Sequence, residues 1–316
     1  MKPKVFIDGE AGTTGLQIRE RLQGRADIDI LSIDPARRKD DAARAEKLNA
    51  ADVVILCLPD DAARDAVKLI TNPKVKVIDA STAHRTAAGW EYGFPEFLAG
   101  QREAIARATR VSNPGCYATG AIALLAPLVR SGLVPKSYPI TINAVSGYSG
   151  GGKAMITEFE KPDDPSYTKV AYRIYAMELN HKHVPEIQRH SGLETRPVFT
   201  PAVGRYAQGM IVEVPLHLDL LADKPNAAAV HGVLNRAYAG ATFVQVVPLE
   251  DSRAIKTVQP EELNGTNRLK LFVFGADAGR QARLVALLDN LGKGASGAAV
   301  QNLNIILGFP ETTGLH

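Results

Sequence analysis

The chain has 316 residues, 45% hydrophobic and 22% charged, with a net charge of +3. That composition belongs to a soluble globular protein long enough for two domains, and it excludes disorder, a coiled coil and a fibrous repeat. The charge is spread out apart from Arg37, Arg38 and Lys39, too small a cluster for a nucleic-acid surface, and no run approaches the ~18 apolar residues of a membrane span. The two cysteines, Cys57 and Cys116, lie in unlike surroundings, which points to a reducing cytoplasm rather than a disulfide framework. Met1-Lys2-Pro3-Lys4 runs straight into a strand-like Val5-Phe6-Ile7, so no signal peptide is expected.

In chain order, the first 115 residues alternate strand and helix signals: KVFID, a helix over about 16–23, DILSID, a charged helix over about 40–47, DVVILCLP, a helix over 61–70, and VKVIDAS. Such alternation predicts a doubly wound, Rossmann-type parallel sheet. From about Tyr138 the strands lengthen: ITINAVSG, RPVFTPAV, GMIVEVPLHL, TFVQVVPL and RLKLFVFGAD. They predict a second α+β domain with a mixed or antiparallel sheet. The last segment, about 295–307, carries Val300, Leu303, Ile306 and Leu307 at helical spacing and is expected to return to the first domain. The expected organisation is a dinucleotide-binding domain over 1–115, a catalytic domain over 116–294 and a returning helix over 295–316.

Directly after the first strand comes Gly9-Glu10-Ala11-Gly12-Thr13-Thr14-Gly15, followed by a helix. Gly9 suits a tight turn, Gly12 lets backbone approach a pyrophosphate, and Gly15 lets helix pack closely on strand, with Thr13 and Thr14 at the helix start. The spacing is G-x-x-G-x-x-G, and a plain glycine-rich turn is the alternative. Asp34 ends the second strand, where an acid holds a ribose hydroxyl. Arg37 and Arg38 follow at once and suit a 2′-phosphate, favouring NADP, against a solvated basic turn. Leu58 and Pro59 leave the third strand at the carboxyl edge of the sheet, the expected cofactor crevice. Cys57, on that apolar strand, reads as inert core.

Ser112-Asn113-Pro114-Gly115-Cys116-Tyr117 precedes a helical stretch over 118–129. Asn113 suits the N-cap and Pro114 the first helical position, which places Cys116 in the first turn. There the helix dipole and unpaired N–H groups favour a thiolate and suit an oxyanion. A small residue packing a helix start is the equal alternative.

That run resembles the nucleophile segment of the N-acetyl-γ-glutamyl-phosphate reductase family and, more distantly, that of aspartate-semialdehyde dehydrogenases. The likeness extends through Asp79-Ala80-Ser81-Thr82-Ala83-His84-Arg85, Tyr92-Gly93-Phe94-Pro95-Glu96, Gly147-Tyr148-Ser149-Gly150-Gly151-Gly152-Lys153, His181-Lys182-His183-Val184-Pro185-Glu186 and Gln301-Asn302-Leu303-Asn304, in family order. It covers nearly the whole chain, at the length of the family's shorter form. Ala83-His84 stands where the family's commonest pattern has Asp-Phe, and no role is assigned to His84.

The two histidines precede a Pro-initiated helix and, at a spacing of two in an extended chain, are expected to face the same way. One near the thiol can move its proton. The resemblance implies His183 as acid/base and His181 as a substrate contact; Glu186, where it reaches back, can orient an imidazole. An H-x-H metal pair, lacking a third ligand nearby, and ordinary surface histidines are the rivals; no metal is expected. The loop Ser146–Lys153 offers four glycines, two serines and a lysine. Its backbone N–H groups and Lys153 suit an anion, and the resemblance implies Ser149, Gly150 and Lys153 as phosphate contacts. A glycine-rich hairpin connection is the alternative. Asn113 is a further substrate candidate, and Arg85 is either a second anion contact or a buttress beneath the loop.

The expected function is NADPH-dependent reduction of N-acetylglutamyl 5-phosphate to the semialdehyde through a Cys116 thioester, in arginine biosynthesis, by a cytoplasmic homo-oligomer, dimer or tetramer, with no nucleic-acid or membrane partner. The rivals are another acyl-phosphate or semialdehyde dehydrogenase, and a non-catalytic nucleotide-binding relative. Cys116, both histidines and the glycine loop together weigh against the latter.

Overall fold

Short β-branched runs become the strands of a parallel sheet in the first of two units, which comprises Met1–Pro95, Ala99–Gly115 and Ala295–His316. The computed structural model describes residues 2–221, 223–276 and 280–316; Met1 and Asp277, which ends the expected strand RLKLFVFGAD, lie outside the described residues. In chain order this unit contains β1 (Lys4–Asp8), α1 (Thr13–Leu22), β2 (Asp29–Leu31), α2 (Asp41–Ala50), β3 (Val53–Leu56), α3 (Asp60–Leu69), β4 (Lys76–Asp79), β5 (Glu91–Tyr92), α4 (Gln101–Arg107) and β6 (Arg110–Ser112). The strand order is β2-β1-β3-β4-β6-β5, every pairing parallel. All four residues of β3 are buried, as a strand covered on both faces requires. On one face Phe6, Val54, Leu56 and Val77 meet Leu48 of α2 and Ala63 and Ala66 of α3.

The second unit comprises Glu96–Leu98 and Cys116–Gly294. It contains α5 (Cys116–Arg130), β7 (Thr141–Gly147), α6 (Gly152–Glu160), β8 (Tyr172–Ile174), α7 (Val184–Ser191), β9 (Val198–Gly204), β10 (Met210–His217), α8 (Ala227–Ala237), β11 (Val244–Val246), α9 (Leu249–Ala254), β12 (Leu269–Ala276) and β13 (Gln281–Leu288). Its sheet runs β11-β12-β13-β10-β7-β9-β8, antiparallel except for the β7–β9 and β11–β12 pairs. The doubly wound parallel sheet and the mixed second sheet are those the strand patterns predict. Glu96–Leu98 was expected in the first domain and clusters with the second. Arg130 bonds the Phe97 carbonyl at 2.9 Å and lies over its ring, and Glu96 pairs with Lys293.

The core of the second unit is α5, buried continuously from Tyr117 to Val129. A helix apolar all round belongs in an interior. It lies against β10 and β13, and Gly120 permits the approach: a Cβ there would sit 2.8 Å from Val212 Cγ2. β13 escaped the pattern reading because QARLVALL is a short apolar run that serves helix and strand equally.

Beyond β13 the chain passes through a π-helical turn over Gly292–Ser296 into α10 (Gly297–Leu307), part of the first unit, which packs against α1, α4 and β4. Its polar residues are buried as well: Asn302 Nδ2 donates to the Gly93 carbonyl at 2.9 Å, and Asn304 Nδ2 to the Thr313 carbonyl at 2.9 Å.

Candidate active site

The turn between β1 and α1 is shaped by its glycines. Gly9 has φ +88°, and a Cβ there would lie 2.4 Å from the Cys57 carbonyl oxygen. Gly12 caps α1, and its N–H closes the turn onto Gly9 O at 3.0 Å. A Cβ on Gly15 would fall 2.6 Å from that same oxygen, so Gly15 packs the helix onto its own turn rather than onto a strand. Thr13 and Thr14 begin α1, where backbone N–H groups lack intrahelical partners and suit a phosphate.

This turn forms one wall of a cleft of about 540 Å³, lined also by Leu58, Pro59, Arg38, Lys39 and Arg44. Backbone that no side chain can enter, an open helix N-terminus and a basic rim are what a phosphorylated dinucleotide requires, so the residues fit one. Asp34 does not line the cleft; its carboxylate accepts from Ala36 N–H at 2.9 Å and caps the following 3-10 turn. Arg37 is exposed and paired with Asp40 at 2.9 Å. Of the two arginines, therefore, Arg38 faces the cleft. Arg44, which the sequence did not single out, faces it too, held by Asp8 at 2.8 Å. No local signal marks Arg44, since its partner lies 36 residues away. At Cys57, burial first and then the charges of Asp79 and Asp8 push the thiol up to about 12, so it stays protonated near neutrality.

Cys116 is the first residue of α5, so the helix begins two residues after Pro114, the expected first helical position. Asn113 accordingly is not its cap. The Asn113 amide donates to the Ala295 carbonyl at 3.0 Å and accepts from Asn302 at 3.1 Å. Arg85, buried, donates to the Asn113 carbonyl at 3.0 Å and the Ala80 carbonyl at 3.2 Å, so it braces the segment leading to Cys116. His84 is held by Asp79, Nδ1 to Oδ2 at 2.6 Å, and its ring stacks on Trp90 at 4.0 Å.

Next to Cys116, the Tyr117 ring packs edge-on against both His181 (5.8 Å) and His183 (5.7 Å). The histidines do not share an extended strand. His181 begins a turn closed by Val184 N–H onto its carbonyl, and His183 is helical in backbone just before α7. The turn still leaves the two rings 4.9 Å apart.

One hydrogen bond sets the tautomer of His181. The His183 N–H donates to His181 Nδ1 at 3.2 Å, so that nitrogen is an acceptor and the proton sits on Nε2, facing Tyr175 Oη at 3.4 Å. From there Tyr175 O–H donates to Tyr117 Oη at 3.3 Å, and Tyr117 O–H to the Ala202 carbonyl at 2.9 Å. Burial, with Lys182 nearby, lowers His181 to about 4. Burial pushes Tyr175 up to about 12, and the charge of Cys116 adds to the rise. Glu186 is buried in the first turn of α7.

The segment after β7 is not an open glycine hairpin but a 3-10 turn over Tyr148–Gly151 that feeds α6. Its first N–H groups are engaged: Gly147, Tyr148 and Ser149 donate to the carbonyls of Gly209, Tyr206 and Ala207 at 2.9–3.0 Å. The Ser149 side chain, Gly150 and the α6 N-terminus with exposed Lys153 remain to meet an anion. No group of three or more His, Cys, Asp or Glu side chains placed for a metal occurs among the described residues.

Residues 35–108 match the semialdehyde dehydrogenase NAD binding domain and residues 116–290 the semialdehyde dehydrogenase dimerisation domain. The N-acetyl-gamma-glutamyl-phosphate reductases of Brucella ovis and Brucella abortus are each 56% identical to this chain over 309 residues, 98% of this chain and 100% of theirs. The chain belongs to the N-acetyl-γ-glutamyl-phosphate reductase family. It is an oxidoreductase with an NAD(P)-binding domain. Aspartate semialdehyde dehydrogenase II from Vibrio cholerae, in complex with ASA, shares the fold at TM-score 0.74 and 15% identity, over 98% of this chain and 99% of that one. The Francisella tularensis aspartate semialdehyde dehydrogenase does so at 0.70 and 15%, over 97% and 100%.

Proposed function

We propose that this reductase-family chain converts N-acetyl-L-glutamyl 5-phosphate to N-acetyl-L-glutamate 5-semialdehyde and phosphate with NADPH, in arginine biosynthesis, by way of a thioester on Cys116. The observation that carries the reading is Cys116 at the head of buried α5 with His181 and His183 packed on the adjoining Tyr117. The helix start favours the thiolate, which attacks the acyl carbon and expels phosphate. Ser149, Gly150 and Lys153 receive that anion at the α6 N-terminus. NADPH, when bound, supplies the hydride that reduces the acyl group. The resulting thiohemiacetal collapses, its hydroxyl loses a proton, and Cys116 Sγ leaves with the bonding pair. His181 has its Nδ1 lone pair occupied and is neutral, which supports His183 as the group that carries the proton and His181 as a substrate contact. Glu186, in the first turn of α7, is the group proposed to steady His183. Arg38, Lys39 and Arg44 at the cleft support NADP over NAD.

The same reading includes a homo-oligomer in the cytoplasm, where a free thiol persists. One sheet face in the second unit is covered by α5 and α8. The strand register puts Tyr172, Ile174 and Val198 together on the other face at its β8–β9 end, while toward β13 that face is covered, Val285 and Ile211 packing with Leu263, Ile255 and Val258. Tyr172 is 58% and Ile174 55% exposed. A second copy is the occupant that the dimerisation-domain match supports.

The test is phosphate-dependent oxidation of N-acetylglutamate semialdehyde by NADP, with aspartate semialdehyde as the comparison substrate. Cys116→Ser retains less than roughly one thousandth of the wild-type rate. A variant keeping a tenth of it, or a wild type preferring aspartate semialdehyde, overturns the reading.

A further inference from the structure

Asp289 and Asn290 follow β13 and are buried, 0% and 1% exposed. They tie together the segments that surround the nucleophile within the second unit. The Asp289 carbonyl accepts from Gly294 N–H at 3.0 Å, and Gly294 lies so close to Cys116 that a Cβ there would be 2.8 Å from the cysteine Cβ. Asn290 reaches the opposite way, to the segment after β7.

The orientation of the Asn290 amide is settled by its partners. The Gly209 N–H, a donor only, meets one amide atom at 2.7 Å, so that atom is Oδ1. The other atom is then Nδ2, also a donor only, and it lies 3.0 Å from Ser149 Oγ. Ser149 oxygen is therefore an acceptor in this bond, and its hydroxyl hydrogen must point elsewhere. The Ser149 side chain is itself buried, 6% exposed, and its own N–H is held by the Ala207 carbonyl at 3.0 Å, so the hydroxyl cannot swing away with its backbone.

We infer that Asn290 is a positioning residue for the phosphate site: by donating to one lone pair of the Ser149 oxygen it turns that hydroxyl's hydrogen away from itself and leaves it to be donated to the departing or entering phosphate. The inference rests on Ser149 being a phosphate contact, as proposed above. A serine free to rotate donates or accepts as its surroundings dictate; one held by an amide donor has its hydrogen left for an anion. Gly150 keeps this arrangement open, since a Cβ there would press on Ser146 Oγ at 3.1 Å and stand 3.5 Å from the Asn290 amide nitrogen.

Asn290→Asp inverts the arrangement with almost no change of shape. One carboxylate oxygen still accepts from Gly209, while the other takes the Ser149 hydrogen and turns the hydroxyl into an acceptor. The measurement is the KM for inorganic phosphate in NADP-dependent oxidation of N-acetylglutamate semialdehyde, for Ser149→Ala, Asn290→Asp and the double variant. Each single substitution raises that KM at least about tenfold, the range of one hydrogen bond to a charged group. The double variant matches Ser149→Ala alone, while the KM for NADP and the rate of Cys116 alkylation by iodoacetamide stay at wild-type values. If Asn290→Asp raises the phosphate KM equally in the Ser149→Ala background, it acts by repulsion or packing and the inference falls. If Ser149→Ala raises the KM and Asn290→Asp does not, the inference falls while the phosphate role of Ser149 stands; if Ser149→Ala has no effect, both fall. Should the buried carboxylate prevent folding, Asn290→Ala replaces it, with a rise in phosphate KM expected only when Ser149 is present.

Discussion

Two residues identical in kind and two positions apart are set in different surroundings by one backbone N–H. His183 N–H fills the His181 Nδ1 lone pair, and burial lowers His181 to about 4. Above pH 6.5 His181 is neutral in folded and unfolded chains alike. Between 6.5 and about 4 the unfolded chain takes a proton that the folded site refuses, so this residue's contribution to stability is lost as pH falls through that window. His181→Asn therefore narrows the difference in urea-unfolding free energy between pH 7 and pH 4.5; an unchanged difference would show that His181 is not held neutral. In activity, His181→Asn keeps the acid limb of the kcat/KM profile, whereas His183→Asn loses activity by about a hundredfold or more. The arginines separate in the same way. Arg38→Ala lowers the NADP over NAD preference by about tenfold or more, and Arg37→Ala, already paired with Asp40, leaves it near wild type; steady-state kinetics with both cofactors distinguishes the two. The dipeptide Arg37-Arg38 was legible as a phosphate signal, but which guanidinium faces the cleft depends on Asp40.

Among the elements, α5 holds Cys116, the proposed nucleophile, in place by burial. Residues 117–129 are all enclosed, so the position of Cys116 is set by how α5 seats on β10 and β13. Gly120 faces Val212 Cβ at 3.0 Å from where its own Cβ would be. Gly120→Val must lift the helix or displace β10, costing about 1–3 kcal/mol in urea unfolding; an unaffected midpoint would mean that the helix seats more loosely than described. The helix was legible as an apolar run with a cysteine at its head. Its start was not, because Asn113, a good cap by type, spends its amide on Ala295 and Asn302.

For the whole molecule, the proposed assembly rests on the exposed apolar edge of the second unit's sheet. Tyr172 and Ile174 on edge strand β8 leave apolar area that one chain of 33.9 kDa does not cover. Light scattering is expected to give at least twice that mass, and Ile174→Lys to shift the population toward the monomer; a wild-type monomer at micromolar concentration would remove the oligomer from the proposal. What the amino-acid sequence determined alone was local. Strand alternation in the first 115 residues, the glycines after β1, the cysteine before a long apolar run and the paired histidines are each written within a dozen residues. For that reason the fold class, and through resemblance the family, were legible there. Tertiary structure alone decided which polar groups remain available for chemistry. Asp34 is turned to a cap, the Ser149 N–H is taken by Ala207, and one lone pair of the Ser149 oxygen by Asn290 from 141 residues away. Hydrogen-bond valence is finite, and the partner that uses it up is chosen by the folded chain rather than by neighbours in sequence.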